Sequence, residues 1–128
     1  MPEQHLFEYA VIRIVPRVER EEFLNAGVIL YCAGQKFLQM RYTLDTQRLW
    51  ALSADLDMTT LEENMQAFDR ICRGIKEAGP IGQLIIRERF RWLTATRSTI
   101  LQTSKAHPGF CTSDAGMALD RLFGQLVL

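Results

Sequence analysis

Apolar and β-branched residues crowd positions 6–15, LFEYAVIRIV, and the run stops at Pro16. That composition predicts a strand. Both alternating sets are largely apolar, so the strand is expected to be covered on both faces and to lie centrally. Arg13 is the exception and needs a partner or an edge. A charged connection, RVEREE at 17–22, follows. NAGVILYC (25–32) and KFLQMRYT (36–43), joined by AGQ, predict a hairpin. In its second strand Leu38, Met40 and Tyr42 share one parity, with Gln39 and Arg41 on the other, as in a half-buried strand.

The period then changes. DTQRLWALS, from Asp45, predicts a short helix capped by Asp45 or Thr46. Thr59, Thr60, Leu61 and Glu62 have capping-box spacing. Leu61, Met65, Phe68, Cys72 and Ile75 recur at steps of four and three, one apolar helical stripe, which Gly79-Pro80 is expected to end. GPIGQL is a phosphate loop only superficially. It lacks the Lys-Ser/Thr ending and follows a helix where a strand is required. QLIIRERFRWLT (83–94) favours a short helix over a strand. STILQTS (98–104) predicts a strand, with His107-Pro108-Gly109 as its exit turn. Ala115, Ala118, Leu119, Leu122, Phe123 and Leu126 form a last helical stripe, capped by Thr112, Ser113 or Asp114.

Strand, hairpin, helices, strand, helix is the order of an α+β protein. The expectation is one domain over residues 1–128, with a mostly antiparallel sheet of about four strands and helices packed on one face. The length of 128 residues fits one domain.

Composition narrows the function classes. Fifteen basic residues balance fifteen acidic ones, so no global field favours nucleic acid or an anionic membrane. The charges are unevenly spread. Residues 55–69 carry five acids and no base, whereas 87–105 carry five bases and one acid. Cys32, Cys72 and Cys111 are scattered, which fits buried reduced thiols in the cytoplasm better than a disulfide framework or thiolate metal site. The N-terminus lacks a secretory pattern, and no run is long enough for a membrane span.

The chemically richest run is ATRSTILQTSKAHPG, residues 95–109. Ser98, Ser104 and Cys111 with His107 as base lack a nucleophile-elbow pattern. His107 and Cys111 alone are too few for a metal site. Glu19, Glu21 and Glu22, or Glu62 and Glu63, read as solvated rather than as paired acid/base groups. Arg87, Arg89 and Arg91 interleaved with Phe90 and Trp92 would suit nucleic acid only on a strand, and the neutral total disfavours it. Anion recognition fits the run best. Arg97 offers a bidentate fork beside Ser98 and Thr99, and Gln102, Ser104 and His107 complete the candidate ligand set.

EYAVIRIVPRVEREEFLNAGVIL (8–30) and RERFRWLTATRSTILQTSKAHPGFC (87–111) together resemble the bacterial family catalogued as domain of unknown function 3037. The resemblance spans nearly the whole chain. Its pattern falls on Arg13, Pro16, Glu22, Phe23, Asn25, Gly27, Arg89, Phe90, Trp92, Arg97, Ser98, Gln102, Ser104 and His107. Thr96 stands where the family often has Pro, and Lys105-Ala106 where Pro-Val is frequent, which loosens the backbone there. The resemblance implies no particular reaction. It implies an accessory role, because similar members are often encoded beside kinase-like proteins of the HipA type. Asn25 and Gly27 also have a purely structural reading, a turn and a bulge or close approach.

Together these observations favour a cytoplasmic binding or accessory module that works through a protein partner, possessing no catalysis, cofactor or metal of its own. Arg13, Asn25, Arg89 and Trp92 are its candidate interaction residues. The alternative is a small domain or enzyme for a phosphate-bearing molecule or nucleotide, centred on Arg97, Ser98, Gln102 and His107.

Overall fold

The computed structural model describes residues 3–128. Five strands form one antiparallel sheet: β1 (His5–Ile14), β2 (Leu24–Cys32), β3 (Phe37–Tyr42), β4 (Leu101–Thr103) and β5 (His107–Cys111). β1 is central, as its doubly apolar pattern requires. β2 pairs with one side of it and β3 with β2. On its other side β4 pairs with Ile12–Ile14 and β5 with His5–Tyr9. The helices are α1 (Thr46–Leu52), α2 (Met58–Arg73), the single turn α3 (Gly79–Gly82), α4 (Ile86–Leu93) and α5 (Ala115–Leu126).

The α+β class and antiparallel sheet match the order of elements, but the helices cover both faces rather than one. Ile12, Ile14 and Ile29 pack with Leu49 of α1, Met65 of α2 and Leu93 of α4. Phe7, Val28 and Leu30, of opposite parity, pack with Leu119, Leu122 and Phe123 of α5. The alternating apolar sets of β1 and β2 demand this: a one-sided arrangement would leave Phe7, Val28 and Leu30 in water, at roughly 1.5–3 kcal/mol each.

The last part of the sheet also departs from expectation. STILQTS contributes only the short β4, and His107-Pro108-Gly109 is not a turn but the first three residues of β5. Pro108 is tolerated because β5 is an edge strand. Gly109 lies opposite Phe7, where a Cβ would stand 2.5 Å from Cζ of the ring. Between β4 and β5, the Ser104 amide donates to the Val11 carbonyl at 2.8 Å. The Val11 amide donates to Ser104 Oγ, also at 2.8 Å. The buried hydroxyl thus stands in for a backbone acceptor while Lys105 and Ala106 loop out.

Gly27 is a point of close backbone approach between β2 and β3. The register skips Ala26 between the pairs Ile12–Gly27 and Arg13–Asn25, a bulge in β2. A Cβ on Gly27 would lie 2.7 Å from the Arg41 carbonyl oxygen and 2.9 Å from Tyr42 Cβ.

The helix ends are set by local chemistry. Asp45 caps α1, as one of the two expected choices, and Asp114 caps α5. For α2 the cap is Asp57 rather than the Thr59 box. Its carboxylate accepts from the Thr59 and Thr60 amides and from the Thr60 hydroxyl, and these bonds hold it below the usual carboxylate range. Gly74, at φ 63°, ends α2 in the left-handed region, before the expected Gly79-Pro80 stop, so Ile75 lies outside the helix. The 83–94 segment is helical from Ile86, as favoured.

Tyr42 joins β3 to α2 by donating its hydroxyl to Glu62 at 2.9 Å. Burial first, and then this bond, push its pKa up to about 12. The folded state therefore holds a proton that an unfolded tyrosine releases near pH ~10. This stabilisation is fully present below pH ~10 and is lost as pH rises towards about 12. Urea unfolding between those limits should show a steeper alkaline loss of stability in the wild type than in Tyr42→Phe; parallel curves would rule the linkage out.

Candidate functional site

Arg97 follows α4 by four residues and folds back onto that helix. Its Nη1 donates to the carbonyls of Leu93 (2.8 Å) and Ala95 (3.1 Å), and Nη2 to that of Trp92 (2.5 Å). The guanidinium lies 4.6 Å from the Trp92 ring centroid and 5.2 Å from that of Phe68. A cation on the last carbonyls of a helix satisfies orphan acceptors and opposes the helix dipole. Partial burial moves its pKa down from the ordinary value, yet an arginine stays charged. Three of its five N–H groups are committed. The Nε–H and the remaining Nη2–H have no partner among the described residues.

Two hollows meet at Arg97. The larger, about 650 Å³, is an apolar groove between α2, the end of α4 and the loop into β4. Phe68 and Ile71 are buried beneath it. Val18, Trp92 and Ile100 line it while remaining 38%, 37% and 42% exposed. Trp92 meets Phe68 edge-on, with centroids 6.2 Å apart. The smaller hollow, about 240 Å³, is lined by Arg13, Glu21, Phe23, Arg97, Ser98 and Gln102. Val18, Arg97 and Ser98 belong to both, so the apolar and polar compartments adjoin.

Arg13 sits on β1 opposite Asn25 and Gln102. Its guanidinium lies 4.3 Å from the centroid of the Phe23 ring, and its buried Nε has no hydrogen-bond partner. Among the described residues, neither Arg13 nor Arg97 has a carboxylate within ion-pair distance; the ion pairs engage other arginines. The acidic stretch at 55–69 does not pair with the basic stretch at 87–105 either.

The fold therefore brings Arg97, Ser98 and Gln102 of the candidate ligand set to one hollow. Gln102 also donates to the Thr99 carbonyl at 2.8 Å. Ser104 and His107 are not brought there. Ser104 is buried in the ladder, and His107 lies exposed on β5 against Tyr9, ring centroids 5.4 Å apart. Of the candidate interaction residues, Arg13 and Trp92 line the two hollows. Asn25 donates to the Leu126 carbonyl at 3.1 Å and ties down the end of α5. Arg89 donates to the carbonyls of Ile71, Cys72 and Leu84 and locks α4 onto the end of α2.

Val18, Phe23 and Ile100 escape sequence reasoning as site residues. Ile100 reads only as one apolar residue of a predicted strand, on the parity of Ser98, Gln102 and Ser104, and Val18 as a lone apolar residue among charges. The three cysteines are buried and unbridged, and burial raises the thiols of Cys72 and Cys111 above the ordinary range, so nothing marks them as nucleophiles. Among the described residues no group of three or more His, Cys, Asp and Glu side chains is placed to hold a metal ion.

A family model described as "Protein of unknown function (DUF3037)" matches residues 9–127, nearly the whole chain, and the chain belongs to that family. No curated protein and no solved structure matches it.

Proposed function

From that family membership, we propose that the chain is a protein-binding accessory module and that the groove lined by Val18, Phe68, Trp92 and Ile100 is where its partner docks. The observation that carries this reading is the cluster of three half-exposed apolar side chains around one hollow. Each costs solvation free energy that a partner would recover, and aromatic anchors in such hollows dominate many interfaces. Buried reduced thiols suit a cytoplasmic setting. No helix among the described residues is long and apolar enough to cross a membrane.

A HipA-like kinase encoded nearby is the first partner to test, on the strength of the family resemblance. Co-expression of that protein with a tagged chain should give a complex that Ile100→Glu disrupts. The Ile100 side chain projects into the groove, so a carboxylate there should block docking while leaving the thermal unfolding curve close to wild type. Undiminished binding by Ile100→Glu would move the interface elsewhere.

The phosphate-ligand reading has support of its own in two unpaired arginines beside Ser98 and Gln102. His107 would have to act at a separate place, since it lies on β5.

A further inference from the structure

We infer that the segment recognised by this surface is an acidic–apolar peptide stretch of the partner, an Asp or Glu side chain adjacent to a large apolar one. The inference rests on the docking reading and adds the chemistry of the occupant. Two arginines facing one hollow without a carboxylate within ion-pair distance are an unbalanced positive charge in a partly desolvated place. Arg97 keeps two N–H groups, on Nε and Nη2, without a partner among the described residues, and guanidinium donors of this kind suit a carboxylate. Arg13 brings a second guanidinium, 4.3 Å from the centroid of the Phe23 ring, with its Nε unsatisfied. Glu21, also on the wall of the hollow, is the one opposing charge there. Because Arg97 belongs to both hollows, a carboxylate bound to it sits beside a side chain lodged on Trp92 and Ile100.

The donors are guanidinium groups of side chains, with the Ser98 hydroxyl and Gln102 amide beside them. Capture of a chain's terminal carboxylate ordinarily uses a nest of backbone N–H groups, whereas arginine clusters read acidic side chains within a segment. Charge complementarity thus selects an internal Asp or Glu.

The test is selection from a displayed library of random peptides on the full chain, followed by titration of the best peptide by fluorescence anisotropy. Enriched peptides should place Asp or Glu within one or two positions of Leu, Ile, Phe or Trp. Changing that acid to its amide should weaken binding about tenfold or more, the loss of roughly 1.4 kcal/mol or more of charged hydrogen bonding. Arg13→Met should cause a similar loss and keep the wild-type unfolding midpoint, since the stem can still pack on Phe23. High salt should weaken the wild-type interaction far more than that of Arg13→Met.

Enriched peptides without an acid, still blocked by Ile100→Glu, would overturn the carboxylate assignment and leave the docking reading standing. A phosphoserine version binding more than tenfold tighter than the glutamate version would overturn it in favour of phosphate. So would inorganic phosphate displacing the peptide at low concentration. Failure to enrich any groove-dependent peptide would overturn the inference, while the co-expression experiment tests the docking reading separately.

Discussion

Replacement of Gly27 by valine is expected to destabilise the protein by about 3 kcal/mol or more, a large share of the stability of an ordinary domain. The added Cβ would sit 2.7 Å from the Arg41 carbonyl oxygen and 2.9 Å from Tyr42 Cβ, and Ile12 Cδ1 closes the third side at 3.1 Å. Two of these neighbours belong to β3 and cannot swing away as a flexible side chain end could. Relief would require separating β3 from β2 at the bulge, where Arg13 and Asn25 are aligned. The urea midpoint of any soluble Gly27→Val protein should fall sharply, with Gly27→Ala intermediate. A wild-type midpoint in Gly27→Val would show that the close approach is not real.

Arg97→Ala should cost about 2 kcal/mol. Two components contribute: loss of the charged donor to the Trp92, Leu93 and Ala95 carbonyls, and loss of the cation over Trp92 and Phe68. The figure is kept low because part of this network faces solvent, which screens it. Arg97→Lys should recover only part of the loss, since an ammonium lacks the planar fork that spans three carbonyls. Denaturant unfolding of the three proteins measures this. Unchanged stability in Arg97→Ala would mean that the side chain is held for a ligand alone.

Much of the framework was legible in the chain. The doubly apolar β1, the β2–β3 hairpin, and the stripes of α2 and α5 follow from periodicity and appear where expected, with ends moved by a few residues. The moved ends have physical causes. Asp57 outcompetes Thr59 as a cap because a charged acceptor reaches two amides and a hydroxyl at once. Gly74 stops α2 early because its left-handed backbone closes the last turn. The β5 strand was hidden because Pro108 and Gly109 signal a turn locally. Their strand role exists only through Phe7, about a hundred positions away in sequence. The covering of both faces of β1 was expected from its parity, but the run of helices after the strands suggested that helices lie on one face alone.

The site was legible in part for a related reason. A fork at Arg97 with Ser98 and Gln102 close in sequence can be read locally. That the fork turns back onto its own helix, and that Arg13 arrives beside it from the central strand, depend on tertiary pairing. Ser104 illustrates the converse. Its hydroxyl suggested ligand chemistry, yet the Val11 amide would be stranded without it.

The most direct test of the docking surface is the affinity of wild-type and Ile100→Glu chains for the co-expressed partner, with both proteins matched for thermal stability. If the groove is the interface, the variant should bind at least tenfold more weakly. Equal affinities in equally folded proteins would contradict it.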